Sequence, residues 1–348
     1  MKRLKNILLA LCFLFCAAGV VMAGGESQGA AKSNDGIKPA TYTWIAGGMG
    51  GGWYTVAGGF ARLIQEKEPR ITIKVIPGGG VGNPVSLDQG DAEFAWGVGY
   101  IDRAAYNGNS LLYKQKYTNI ASVAGTLSVD YYHFLAAKDQ GITTMEQLAQ
   151  KIKNGEKIKI AAPQNGTSDY VMASIVLEFY GVSLDMIQKN GGTVVQAVYG
   201  DIPNMYKDRH VDYAIACLGI PGAIMTEMAM SRPSVLLSQT DALLDYCYEK
   251  FGTVSRTTGL TMIPGNSYPG IAADTSALCH STEILVSPKM PEAVVYTFTK
   301  ILNENKDFLV QLAASYKVFD PKTTAASTVQ VPLHPGAARY YKEAGILK

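Results

Sequence analysis

The densest run of backbone able to do chemistry in this 348-residue sequence is Gly47-Gly48-Met49-Gly50-Gly51-Gly52-Trp53-Tyr54. It follows the apolar run Tyr42 to Ala46 and precedes helical spacing at Val56, Phe60, Leu63 and Ile64. Glycines at such a junction let main-chain N–H groups come close to a ligand. The helix start adds unpaired donors and a partial positive charge, so a carboxylate or another anion is favoured there. A plain strand-to-helix turn is the alternative, but it needs fewer consecutive glycines. The run does not fit G-x-G-x-x-G and the sequence has no Gly-Lys pair, which excludes dinucleotide and P-loop phosphate sites.

A second turn of the same kind is Ala162-Pro163-Gln164-Asn165-Gly166-Thr167-Ser168. Thr167 or Ser168 suits a helix cap, which leaves Gly166 and neighbouring amides to face a cleft. A third segment, Trp96-Gly97-Val98-Gly99-Tyr100-Ile101-Asp102, follows a strand pattern and is expected to line the same opening. Trp44 reads as core, Tyr54 and Tyr100 as pocket walls.

Catalytic patterns are lacking. His133, His210, His280 and His334 form no H-E-x-x-H, and no G-x-S-x-G elbow occurs. No acid, base and nucleophile converge along the chain, so the reading is a non-enzyme with no cofactor and no metal. Cys217, Cys247 and Cys279 are too widely spaced for a metal knuckle and read as packing residues, with a Cys247 to Cys279 disulfide left open.

The elements that must position these turns follow from the pattern of apolar runs. Residues 1–23 show a basic start (Lys2, Arg3, Lys5), an apolar core from Ile7 to Met22 and Val21-Met22-Ala23, the layout of a cleaved secretory signal. Phe15 before Cys16 and Leu11 before Cys12 stand where a lipoprotein signal needs a small residue. Residues 24–39 read as a flexible polar leader. Without the three basic residues the balance is 28 basic to 29 acidic, so no cationic field for nucleic acid or an anionic membrane remains.

Strand patterns at 42–46, 71–76 and 93–98 alternate with helical ones. A second alternating series has strands at 132–137, 157–162, 193–198, 211–216 and 235–238, and helices at 144–153, 168–180, 201–208 and 221–230. Residues 291–314 form one long helical pattern. The expected fold class is α/β with two lobes, each a mixed sheet flanked by helices, joined by two strands that cross near Leu135 and Leu236. Lobe I takes residues 40–135 and 239–348, lobe II residues 136–238. Ligands in such sheets sit beyond the carboxyl ends of strands, where both glycine-bearing turns lie.

Four segments in order, the glycine run through Tyr54, Ala105-Tyr106-Asn107-Gly108, Ile263-Pro264 with Tyr268-Pro269-Gly270, and Pro332-Leu-His-Pro-Gly-Ala-Ala-Arg-Tyr-Tyr341, resemble the TAXI subfamily of TRAP-transporter solute receptors. The resemblance covers essentially the whole chain after the signal. It implies a type II periplasmic-binding-protein fold in the periplasm, capture of a small organic acid or amino-acid-like carboxylate, and delivery to sodium-driven TRAP membrane subunits. Carried over by position, the ligand-facing residues are Gly50, Gly51, Gly52, Trp53 and Tyr54 with Val98, Tyr100 and Ser128 in one lobe, and Asn165, Gly166, Thr167, Ser168, Gly219 and Pro221 in the other. The chain departs from the family at Val98-Gly99-Tyr100, where members often carry Gln-Ser-Asp, and at Ser128, where they carry Tyr. These departures imply a ligand less polar or bulkier than glutamate. No arginine adjoins Ser168, so a bidentate arginine clamp is not assured, and Arg103 is the nearest cation. An exported sensor or an enzyme acting on a small carboxylate is the alternative, and a surface adhesin with a filled cleft is a third.

Overall fold

The strand that organises the molecule is Ala121–Ala137, seventeen residues buried along almost their whole length. The computed structural model describes residues 36–109, 111–323 and 325–348, so the signal and most of the leader lie outside the described residues. Ile37 is buried beside Trp44 and the first helix.

In chain order the strands are Ala40–Ile45 (β1), Ile71–Ile76 (β2), Phe94–Val98 (β3), Ala121–Ala137 (β4), Lys159–Ala162 (β5), Thr193–Gln196 (β6), Tyr213–Leu218 (β7), Ser234–Leu236 (β8), Met262–Ile263 (β9), Thr275–Ser276 (β10) and Cys279–Val286 (β11). The helices are Gly52–Lys67 (α1), Asn83–Gln89 (α2), Gly99–Asn107 (α3), Met145–Lys153 (α4), Ser168–Phe179 (α5), Leu184–Lys189 (α6), Ile202–Lys207 (α7), Ala223–Ser231 (α8), Asp241–Phe251 (α9), Glu292–Glu304 (α10), Lys306–Leu312 (α11) and Pro335–Glu343 (α12). One mixed sheet runs β2-β1-β3-β11-β4-β7-β5-β6, with β8 added against the end of β4. β1, β2 and β3 pair in parallel, as do β6, β5 and β7, and the two parallel sets are joined through the antiparallel pair β11 and β4.

The two strands that carry the chain between the two parallel sets are therefore β4 and β11, and Leu236 instead pairs with Leu135 as a short addition. The sequence pattern placed β11 in a tail poor in strands. Its polar members, His280, Thr282 and Glu283, hid it, although all three are buried. The long helical pattern near the C-terminus is broken at Asn305, whose φ of −124° ends α10 and starts α11. Gly181 stops α5 as expected, in the left-handed region at φ 73°.

Alternation along β4 sorts the core into layers. One apolar cluster gathers Trp44, Phe60, Phe94, Phe298 and Tyr341 around the β1–β3 half, with Phe94 stacked on Phe298 at 4.5 Å. On the other half Tyr132, Phe134 and Tyr213 pack with Leu148 of α4 and Leu177 of α5. Tyr131 and Leu135 point the opposite way, to Tyr206 and Met225. Residues 239–278 pack on this second half: Leu243, Leu244 and Cys247 join the first of those layers, Ile263, Tyr268 and Ile271 the second. Gln239 anchors that return, donating to Tyr132 O at 2.9 Å and accepting from Leu278 N at 2.8 Å. Among the described residues no helix is long and apolar enough to cross a membrane.

Candidate functional site

Asn83, a side chain with no exposure, ties the loops that follow β1 and β2 to strand β3. Its amide donates to Ala46 O at 2.9 Å and Trp96 O at 2.7 Å, and its oxygen accepts from Gly79 N at 2.9 Å. Glycine is required at 78, because a Cβ there would lie 2.4 Å from Asn83 Oδ1 and 2.8 Å from Ala46 O. The loops then open into one cavity of about 90 Å³, room for several water molecules or a compact solute. Gly51, Gly52 and Trp53 line it from one side, Gly78 to Gly80 from beside them, and Thr167, Ser168 and Asp169 from across. A Cβ at Gly80 would approach Ser168 Oγ to 2.7 Å, so the two sides meet closely.

Both long helices that reach the cavity begin there. α1 has Gly51 as its N-cap without a side-chain capping bond, which leaves the amides of its first turn without intrahelical partners. In α5 Thr167 accepts from Tyr170 N at 3.2 Å, and the Ser168 and Asp169 amides precede that bond. Each helix start favours negative charge by roughly 0.3–1 kcal/mol.

The side chains are of the opposite sign. Asp130, on β4 and buried, accepts from Trp53 Nε1 at 3.0 Å and Ser128 Oγ at 2.8 Å. Burial pushes its carboxyl up to about 6, against the pull of those two hydrogen bonds. Asp169, partly buried, accepts from Ser168 Oγ at 3.0 Å and from the Tyr199 hydroxyl, and burial also raises it. Among the described residues neither lysine nor arginine lines the cavity. Arg103 is turned elsewhere, donating to Phe251 O at 3.2 Å and Gln330 Oε1 at 3.1 Å.

Cys217 and His280 complete the floor, Sγ 3.3 Å from Nε2. Burial holds the imidazole down to about 4 and the thiol well above its ordinary value. The pair is therefore a neutral thiol donating to a neutral imidazole, whose Nδ1 lies 3.1 Å from Ser281 O, and not an activated nucleophile. The three described cysteines are all buried free thiols, with no Cys247 to Cys279 bond. His133 bridges Tyr131 O and the Tyr268 hydroxyl, both at 2.7 Å, and His334 caps α12. Among the described residues no three His, Cys, Asp or Glu are grouped to hold a metal ion.

Of the residues singled out from sequence, Gly51, Gly52, Trp53, Ser128, Thr167, Ser168 and Gly219 line the cavity. The others do not. Gly50 abuts the Gly200 backbone, and Tyr54 packs toward the Trp44 cluster. Val98 is core, and Tyr100 is buried with its hydroxyl 3.2 Å from that of Tyr132. Asn165 and Gly166 are exposed on the turn, and Pro221 faces a separate surface groove beside α8. The sequence reading missed Asp130, Asp169, Tyr199, Cys217, His280 and Tyr316. Asp169 stands one residue past the capping turn and Asp130 two past Ser128, so proximity to those residues was the available signal.

A profile described as the NMT1-like family matches residues 45–345. The chain belongs to the NMT1-like family. Among solved structures, MatC of Rhodopseudomonas palustris with bound malate is 16% identical, covering 88% of this chain and 96% of that one, with a TM-score of 0.50. The periplasmic binding protein BugD is 14% identical, covering 89% and 99%, with a TM-score of 0.49. A marine metagenome TRAP solute-binding protein specific for pyroglutamate is 11% identical, covering 90% and 86%, with a TM-score of 0.39. The fold of this NMT1-like chain is that of the periplasmic binding proteins, a mixed α/β architecture built on one curled mixed sheet.

Proposed function

We propose that this NMT1-like protein is an extracytoplasmic solute receptor that captures a small carboxylate-bearing compound between its lobes and hands it to TRAP-type membrane subunits. The observation that carries the reading is one cavity bounded by the first turns of both α1 and α5. A ligand carboxylate placed there would accept from amides contributed by both sides at once, and only such differential contact shifts a closing equilibrium. In this reading the first lobe holds β1 to β3 with the C-terminal helices, and the second holds residues from about 131 to 279, because residues 239–278 pack on that half. The signal-like segment at 1–23 agrees with export. A non-catalytic role is supported by the neutral Cys217–His280 pair.

The test uses intrinsic fluorescence. Trp53 lines the cavity and Trp96 packs on it at 5.8 Å, so binding should change emission across a panel of small carboxylates. A flat response to the whole panel, with no thermal stabilisation, refutes the receptor reading. Co-purification with TRAP membrane subunits tests the partner separately.

A further inference from the structure

We propose that the solute brings a protonated nitrogen to Asp130 and Asp169, and that its capture drives a proton out of the cavity. This rests on the receptor reading above and narrows its ligand class. Helix starts supply the cavity with donors for an anion, yet the acidic side chains that line it with an ordinary value below 7 are the two carboxyl groups of Asp130 and Asp169. Asp130 is faced by Trp53 from α1, Ser128 from its own strand, Tyr316 from the turn at Ala314–Val318, and the thiols of Cys217 and Cys279. Asp169 is faced by Ser168, Tyr199, Cys217 and His280. None of these carries positive charge at neutral pH, since burial keeps His280 at about 4.

Each carboxylate already accepts two hydrogen bonds and has room for about two more. An ammonium has three donors and no acceptor, and so complements that remaining capacity. A ligand with carboxylates alone would bring further negative charge beside two buried carboxyl groups, and binding would then need proton uptake. The two ligand types thus differ in the sign of the proton change. With burial setting Asp130 at about 6, an arriving ammonium favours the ionised form, so the proton leaves and affinity rises as pH goes from 5 to 7.

The full chain after its signal is screened by thermal shift against amino acids, amine-free carboxylates such as succinate, malate and 2-oxoglutarate, and amines without a carboxylate such as putrescine. The best binder is then titrated calorimetrically at pH 5.5 in two buffers of different ionisation enthalpy. The expected result is binding by amine-bearing compounds, proton release, and a loss on the order of 30-fold or more in Asp130→Asn. Binding confined to amine-free carboxylates, or net proton uptake, overturns this inference and leaves the receptor reading standing. Binding of amines lacking a carboxylate upholds this inference and removes the carboxylate from the reading above. Silence across all three sets refutes both. If Asp130→Asn does not fold, the proton count on the unaltered protein decides the matter.

Discussion

Gly219→Ala tests the closing motion that the proposed receptor requires. Gly219 follows β7, whose residues pack with Tyr132, Leu148 and Tyr206, and Ser315 lies on the turn beside Tyr316, which packs with the Trp44 cluster. A Cβ on residue 219 would stand 2.3 Å from Ser315 Cβ, against 3.4 Å or more in ordinary contact. Gly219 is not in the left-handed region, so alanine brings no backbone strain of its own. Overpacking of this kind costs ~1–3 kcal/mol. If the lobes separate when the cavity empties, that cost falls on the closed form alone. The dissociation constant should then rise by roughly 5- to 150-fold while the melting temperature of the ligand-free protein stays put. Adding Ser315→Gly removes the colliding atom and should restore affinity, a coupling that a double-mutant cycle measures directly. Affinity is read from Trp53 emission and stability by calorimetry. A ligand-free protein destabilised as much as the liganded one, with affinity unchanged, would show a fixed core contact and refute the closing argument.

Three further outcomes are expected. Burial raises Cys217 strongly and pushes Cys247 and Cys279 up to about 12, so a thiol reagent at pH 8 should react slowly with the native protein and fully only in denaturant; because Cys217 alone lines the cavity, ligand should slow its labelling and leave the other two unchanged. Asp102 and Glu283 are buried side by side; burial first and then the neighbouring Glu283 raise Asp102 well above the usual carboxylate range, while burial brings Glu283 up to about 7 against the opposing pull of Asp102 and Ser122. A raised folded-state value means that their contribution is fully present below the unfolded range near pH 4 and is lost as pH climbs through 7. Thermal stability should therefore fall from pH 5 to 8 by on the order of 3 kcal/mol, and Asp102→Asn should flatten that slope; an unaltered slope in the variant would contradict the assignment. Asn83→Asp replaces donors to Ala46 O and Trp96 O with an oxygen facing two carbonyls, at a cost of ~3 kcal/mol or more, seen as a lower midpoint in urea. An unchanged midpoint would remove Asn83 from its positioning role.

The parts of the molecule legible in the sequence are those written in glycine and in apolar period. The strands at 71–76 and 94–98, the helix from 168 and the strand-to-helix turns at both sides of the cavity all follow from local pattern. What stayed hidden depends on contacts distant in the chain. β11 is buried although it carries His280, Thr282 and Glu283, since Glu283 finds Ser122 Oγ at 2.8 Å, 161 residues away. Asp130 reads as an ordinary polar break in an apolar strand until Trp53, 77 residues earlier, donates to it. Val98 and Tyr100 were expected on the cavity, but Val98 is the buried last residue of β3, and α3, beginning at Gly99, carries Tyr100 into the core. Gly78 to Gly80 form a run whose role appears only with Asn83, whose side-chain oxygen accepts from Gly79 N.

The residue after Asn83 is Pro84. Asparagine ages to aspartate in proteins mainly when the next main-chain nitrogen attacks the side-chain amide, and proline has no hydrogen on that nitrogen to give up. The knot that ties two loops to β3 is thus closed to the commonest chemical clock running in long-lived chains. In the exported role proposed above, that side chain keeps its bonds to Ala46 O and Trp96 O without renewal.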